Sequence, residues 1–173
     1  MSVVGVTIGI GKIDGTEWDG LGRVSDAERF GIVEAVSAPG SQAKEAAVGA
    51  LLAMRASDGI AKPDPYGFVE VYAGGDLVNR QAMATRELPE RDTFTPMWRQ
   101  PPTWRHVTIL PNLRLRVSVW DRDLQNDDAI GTAELNSNDL NQALYAGGIY
   151  EVNVANQTAN QLLLVGLSVV AEN

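Results

Sequence analysis

Apolar and polar side chains alternate from Leu113 to Trp120, and this period of two constrains the fold more than any other feature of the chain. Successive side chains of a strand point to opposite faces, so leucine and valine share one face while Arg114, Arg116 and Ser118 share the other. A sheet with one apolar face buries that face against the core. The segment therefore predicts a strand of an antiparallel sheet with one face buried.

Other short segments rich in β-branched or aromatic residues also predict strands. Glycine and proline lie between these segments, where they favour turns. Several short strands with frequent turn signals are typical of a β-sandwich. The further strand segments are 3–10, 67–72, 149–154 and 162–170.

A helical pattern interrupts the strands early in the chain. Ser25 and Glu28 have the spacing of a capping box, and the helical run 26–37 follows. Pro39-Gly40 breaks that run, and a second run, 42–55, carries apolar residues at helical spacing. We therefore expect a helical hairpin whose apolar stripe packs on the chain's own sheet. Docking of a protein partner on that stripe is the alternative.

Acidic residues are concentrated directly after the alternating strand. Asp121, Asp123, Asp127 and Asp128 place four carboxylates within eight residues. Like charges this dense are costly unless water or a cation compensates them. Calcium takes about six to eight oxygen ligands, mostly carboxylate and carbonyl, so the loop suits this ion.

An EF-hand is the first calcium motif to test. Counted from Asp121, the sixth position holds Asn126 where the motif needs glycine. The twelfth position holds Thr132 where the motif needs a bidentate glutamate. Strands rather than helices flank the loop, so an EF-hand is excluded.

Three segments together resemble the C2 domain family. Asp64-Pro65-Tyr66 leads into a strand, 93–98 forms a threonine- and proline-containing turn ending in tryptophan, and Asp121-x-Asp123 follows a buried strand. Asp-x-Ile-Gly at 128–131 then closes the acidic loop. The resemblance covers about residues 60 to 170 together with the first strand.

The resemblance implies a mainly β fold, an eight-stranded antiparallel C2-type β-sandwich with the α-helical hairpin inserted. It implies a single domain over 1–173, with the insertion at about 25–57 in the first metal-binding loop. Two positions depart from the family pattern. Thr95 replaces the usual asparagine, and Pro101-Pro102 interrupts the strand expected after Trp98, which predicts an edge or bulged strand.

Calcium ligands follow from the resemblance, position by position. Asp64 matches the ligand before Pro-Tyr, Asp121 and Asp123 match the paired ligands, and Asp128 matches the last one. Asp127 is expected to be an exposed neighbour.

The first ligand of the first loop has two candidates. Asp58 lies six residues before Asp64, at the distance usual in the family. Asp19 follows the first strand directly, and a Trp-Asp pair shortly before Pro-Asp-Pro-Tyr resembles some bacterial C2-like proteins. We favour Asp19 slightly, because the insertion would have to carry Asp58 back to the loop.

Many C2 domains bind phospholipid headgroups through bound Ca²⁺, so the resemblance implies calcium-dependent, reversible docking on membranes. Leu124 and Leu21 are the candidate membrane-contact residues. The net charge of −8 disfavours nucleic acid as a partner. The alternative is a non-catalytic structural or protein-interaction module, an assembly subunit in which calcium is structural or absent.

Several other function classes have no support in the sequence. Cysteine is absent, which excludes disulfides, thiolate metal sites and cysteine nucleophiles. Serine-hydrolase, phosphate-loop and zinc-protease motifs are also missing, so we expect no enzyme activity. No signal peptide or membrane-spanning segment is expected, which predicts a cytoplasmic protein that binds membranes peripherally.

Overall fold

The computed structural model describes residues 1–20, 22–37, 60–158 and 161–171. Among these residues there are seven strands and two helices. The helices are α1 (Asp26–Ser37) and α2 (Ser137–Ala146). The strands are β1 (Ser2–Ile8), β2 (Pro65–Ala73), β3 (Asp76–Ala84), β4 (Leu113–Asp121), β5 (Asp128–Asn136), β6 (Ile149–Asn153) and β7 (Leu162–Ser168).

The strands form two antiparallel sheets that share one apolar core. One sheet has the order β1-β7-β6 and the other has the order β3-β2-β4-β5. The alternation predicted for β4 is confirmed, because Leu115 and Val117 are fully buried while Arg114 is exposed. Val69 of β2 and Leu167 of β7 bring both sheets into the same core cluster. The fold is therefore a mainly β sandwich.

The expectation of eight strands is wrong for the described residues, which contain seven. In place of the strand expected after Trp98, an irregular segment, 93–104, runs alongside β1. Two isolated bridges join it to β1, Gly5 with Met97 and Ser2 with Thr103. Three prolines in this segment have no N–H to donate, so a continuous ladder cannot form.

The first helix of the expected hairpin is present and begins as predicted. The Ser25 backbone N–H donates to Glu28 Oε2 over 3.0 Å, and the Glu28 N–H donates back to Ser25 Oγ over 3.3 Å. This reciprocal pair is a capping box. The second predicted run, 42–55, lies outside the described residues, so the hairpin as a whole and the single domain over 1–173 stay predictions.

Helix α2 was not predicted, although its boundaries follow the usual rules. Asn136 accepts from the N–H groups of Asn138 and Asp139, and Asp139 accepts from Asn136, which completes a capping box. Gly147 ends the helix in the left-handed conformation that glycine tolerates best. Among the described residues, no helix has the length and apolarity needed to cross a bilayer.

Strand register brings the acidic segments to one end of the four-stranded sheet. Asp121 pairs with Pro65 of β2 on one side and with Asp128 of β5 on the other. Asp121 also continues the inward-facing series of β4, since it lies two residues beyond the buried Val119. A carboxylate therefore stands at the end of the apolar core.

Candidate metal centre

Asp121 is the most deeply placed acidic residue of this end, with none of its surface exposed. Its Oδ1 accepts a hydrogen bond of 2.7 Å from the Asp64 N–H. Its Oδ2 is buried and has no hydrogen-bond partner among the described residues. Burial raises the pKa of Asp121 to about 7. The hydrogen bond from Asp64 lowers this pKa, and the charges of Asp19 and Asp123 raise it further.

Asp19 reaches the same point from the segment after β1. The preceding residue, Trp18, is buried, and its indole N–H donates to the Gly9 carbonyl over 2.8 Å. Because Trp18 is anchored in this way, the backbone next to it at Asp19 is held in position. Asp19 lies on the exposed side of the site, and loss of solvation, together with the charges of Asp123 and Asp64, raises its pKa to about 6.

Asp19, Asp121 and Asp123 form the acidic cluster. Each offers a carboxylate oxygen, and these oxygens lie within 4.8 Å of one another. Calcium binds oxygen at about 2.3–2.6 Å, so two oxygens on one ion are at most about 5 Å apart. Burial also raises the pKa of Asp123, and the charge of Asp128 adds to this while Lys12 opposes it. The geometry and the buried, unpartnered Oδ2 of Asp121 both fit one calcium ion.

The other two predicted ligands flank the acidic cluster. Asp64 is half-buried, and its Oδ1 accepts a hydrogen bond of 3.0 Å from the Asp92 N–H. Asp92 has a positive φ of 48°, which is uncommon for a residue other than glycine. Asp128 forms an ion pair with Lys12. Both aspartates lie at the same end of the sheet, but neither belongs to the group of oxygens that share one position.

The remaining sequence-predicted residues divide into two kinds. Leu124 lies in the β4–β5 loop, residues 122–127, and is 97% exposed. Asp58 and Leu21 lie outside the described residues. Of the two candidates for the first ligand, the structure describes only Asp19 and brings it to the acidic cluster. The roles of Asp58 as a ligand and of Leu124 and Leu21 as membrane contacts stay predictions.

The expectation that Asp127 is an exposed neighbour is wrong. Its Oδ2 accepts from the Tyr66 hydroxyl over 2.7 Å and from Arg86 Nε over 2.6 Å. The hydrogen bonds from Arg86 and then Tyr66 lower the pKa of Asp127 to about 2. Arg86 also donates to the Asp123 carbonyl over 3.2 Å, so this network holds the β4–β5 loop against β2 and the segment that follows β3.

Lys12 is a residue of this end that the sequence analysis did not single out. It begins a tight turn, since the Gly15 N–H donates to its carbonyl over 3.0 Å. Its ammonium pairs with Asp128 and lies 5.8 Å from the centroid of the Trp18 ring. No local sequence pattern predicts that a single lysine in a turn belongs to this site. Its contact with Asp128 of β5 shows that it does.

Comparison with solved structures gives distant matches, and two of them are described here. The chain is similar to part of human GIVD cytosolic phospholipase A2, solved with methyl gamma-linolenyl fluorophosphonate and terbium chloride, at 16% identity and a TM-score of 0.43. The match covers 68% of this chain and 15% of the phospholipase chain. The second match is a C2 domain, at 18% identity and a TM-score of 0.32, covering 63% of this chain and 81% of the other.

Sequence comparison is more decisive for the family. No curated protein matches the chain. The family model of the C2 domain matches residues 44–152, which is more than half of the chain and includes the segments that carry the resemblance. The fold found here, two antiparallel sheets with acidic loops at one end, agrees with that match. The chain therefore belongs to the C2 domain family.

Proposed function

We propose that this protein is a calcium-binding module that docks reversibly on phospholipid membranes through the end of the sandwich that carries the acidic cluster. The observation that carries the proposal is the convergence of Asp19, Asp121 and Asp123, whose oxygens lie within 4.8 Å of one another. The proposal includes no catalytic step.

The electrostatics of the acidic cluster support a bound cation. Asp121 is fully buried, and a buried ionised carboxylate is costly unless it is paired or holds a metal. Its Oδ1 already accepts from Asp64, whereas its Oδ2 has no partner among the described residues. A divalent ion at this point would satisfy that oxygen and compensate the charges of Asp19 and Asp123.

Asp19, Asp121 and Asp123 would hold the ion, and Asp64 and Asp128 would add negative charge beside it. Bound calcium would supply the positive charge that an anionic headgroup needs from a protein whose own net charge is −8. Without that charge, the acidic end of the sandwich repels an anionic membrane. Docking is therefore expected to depend on calcium.

Leu124 is the residue proposed to contact the membrane. It lies in the β4–β5 loop beside Asp123 and is 97% exposed. Complete burial of one leucine side chain contributes about 1.5–3 kcal/mol, so docking through this residue is expected to be weak and reversible. Leu21, the second candidate contact, lies outside the described residues.

Vesicle sedimentation with and without calcium tests the proposal. Vesicles that contain phosphatidylserine should carry the protein down in millimolar calcium and not in chelator or magnesium. Asp123→Asn should weaken calcium binding and sedimentation without unfolding the domain, because asparagine keeps the shape and loses the charge. Asp76→Asn is the matched control, since Asp76 is exposed at the start of β3, at the other end of the sheet.

Two results would contradict the proposal. Sedimentation that is equal in calcium and chelator would show that the ion does not mediate docking. A protein that binds neither calcium nor vesicles would favour the alternative, a structural or protein-interaction module in which a partner docks elsewhere on the chain.

A further inference from the structure

A basic side chain already stands among the acids of this end. The Lys12 ammonium forms an ion pair with Asp128 Oδ2, and the lysine side chain is only 22% exposed. The ammonium also lies over the Trp18 ring, with the centroid 5.8 Å from Nζ. Trp18 is itself fixed by burial and by its hydrogen bond to Gly9. Lys12 is therefore held in a defined position.

The Lys12 ammonium carries a positive charge next to the aspartates of this end. Asp128 contacts the Lys12 ammonium directly. Lysine is a cation at neutral pH because its ordinary pKa is about 10.4. A lysine ammonium is a compact point charge, which makes it a substitute for a metal ion beside a carboxylate.

The acids of this end fall into two sets. Asp19, Asp121 and Asp123 share one position where their oxygens converge, and Asp128 is not among them. Asp128 instead has its Oδ2 in contact with the Lys12 ammonium. A calcium ion on that same oxygen would lie within a few ångströms of the ammonium, and the two cations would repel each other.

We propose that Lys12 is a cation tethered to the chain that holds Asp128 and limits this end of the sandwich to one calcium ion, bound by Asp19, Asp121 and Asp123. The inference rests on the calcium binding proposed above. The Lys12 ammonium occupies the position beside Asp128 that a second divalent ion would otherwise occupy. The lysine therefore determines how many ions bind.

Calcium stoichiometry, measured by isothermal titration calorimetry and checked by equilibrium dialysis, tests this assignment. The wild-type protein should bind one ion. Lys12→Met should bind two, because methionine has a similar length, carries no charge and releases Asp128. Lys12→Arg should keep the stoichiometry at one. Combining Lys12→Met with Asp128→Asn should restore one ion, because the second site loses its ligand.

The matched control is Arg114→Met, which removes the same charge at the opposite end of β4. Arg114 is 65% exposed and lies near the start of that strand, seven residues from Asp121. This variant should bind one ion, as the wild type does. A second ion in Arg114→Met would show that net charge, rather than the position of Lys12, sets the number.

The outcomes separate this inference from the proposed function. Two ions in the wild type, or one ion in a folded Lys12→Met, would overturn the inference and leave calcium binding intact. No calcium in either protein would overturn both. Circular dichroism establishes whether Lys12→Met folds. If it does not, two ions in the wild type overturn the role of Lys12, and one ion in both the wild type and Lys12→Arg supports it.

Discussion

Asp121→Asn should change stability in opposite directions with and without calcium. Asp121 is fully buried, and its Oδ2 has no hydrogen-bond partner among the described residues. Asparagine keeps an acceptor for the Asp64 N–H and replaces the unpartnered oxygen with an amide that donates. The carboxylates of Asp19 and Asp123 lie close to this side chain, with oxygens within 4.8 Å of an Asp121 oxygen. The variant should therefore be more stable than the wild type in chelator.

The magnitude follows from the pKa of Asp121, which burial raises from 3.8 to about 7. A shift of this size corresponds to roughly 4 kcal/mol of lost stability at a pH well above both values. Part of the gain from removing the charge is offset, because the buried amide must also find partners. We expect a net gain of about 1–3 kcal/mol for the variant in chelator at about pH 8.

Calcium should reverse the order of stability. A ligand that binds only the folded state stabilises it by about 4.1 kcal/mol at a thousandfold excess over Kd, which exceeds the advantage expected for the variant in chelator. Wild type should gain an amount of this order in calcium, while Asp121→Asn should gain much less because a central ligand is lost. Guanidinium denaturation in chelator and in calcium measures both differences.

The matched control for this experiment is Asp76→Asn, which removes one exposed carboxylate at the far end of the sheet. It should leave both the stability in chelator and the gain in calcium close to the wild-type values. The reasoning is refuted if Asp121→Asn is less stable than wild type in chelator. An undiminished gain in calcium would equally remove Asp121 from the metal centre.

Two further predictions concern the same end of the sandwich. Without calcium, the free energy of unfolding should fall as the pH rises from about 5 to about 8, because folded Asp19 and Asp121 have pKa values of about 6 and about 7 and hold protons that the unfolded chain releases. Denaturation at several pH values in chelator measures this fall in the free energy of unfolding. A flat or rising profile would contradict the prediction. Asp121→Asn should make the fall smaller. Tyr66→Phe should cost about 1–2 kcal/mol, because the hydroxyl donates to the Asp127 carboxylate. Thermal unfolding checks this, with the exposed Tyr145→Phe as control, and equal losses in both variants would count against the network.

Strands with one buried face were predictable because neighbouring residues carry the signal. The alternation in β2 and β4 needs only the period of two, and the burial pattern agrees with it. The same parity places Asp121 on the inward face, so its burial was implicit in the sequence. The capping box at Ser25 was also readable, because its two partners are three residues apart.

Other elements were missed for physical reasons. Strand β3 lies at the edge of its sheet, and its first five residues are exposed, so no apolar alternation marks it. Helix α2 has a capping box and a terminal Gly147, but it is short and buries few side chains, among them Leu140 and Ala143. The eighth strand was expected from the family, and prolines prevented it locally.

By itself, the sequence determined the β-sandwich class and the acidic loop after β4, because periodicity and local charge density are properties of neighbouring residues. The resemblance to the C2 family supplied the candidate ligands Asp64, Asp121, Asp123 and Asp128, with Asp19 or Asp58 as a further one. Only the tertiary structure decided which carboxylates converge and which are held by basic side chains. It brings Asp19 to Asp121, pairs Lys12 with Asp128 and pairs Arg86 with Asp127. These partners are far apart in the chain and meet only because strand register and the buried Trp18 place their backbones together, which no local pattern encodes.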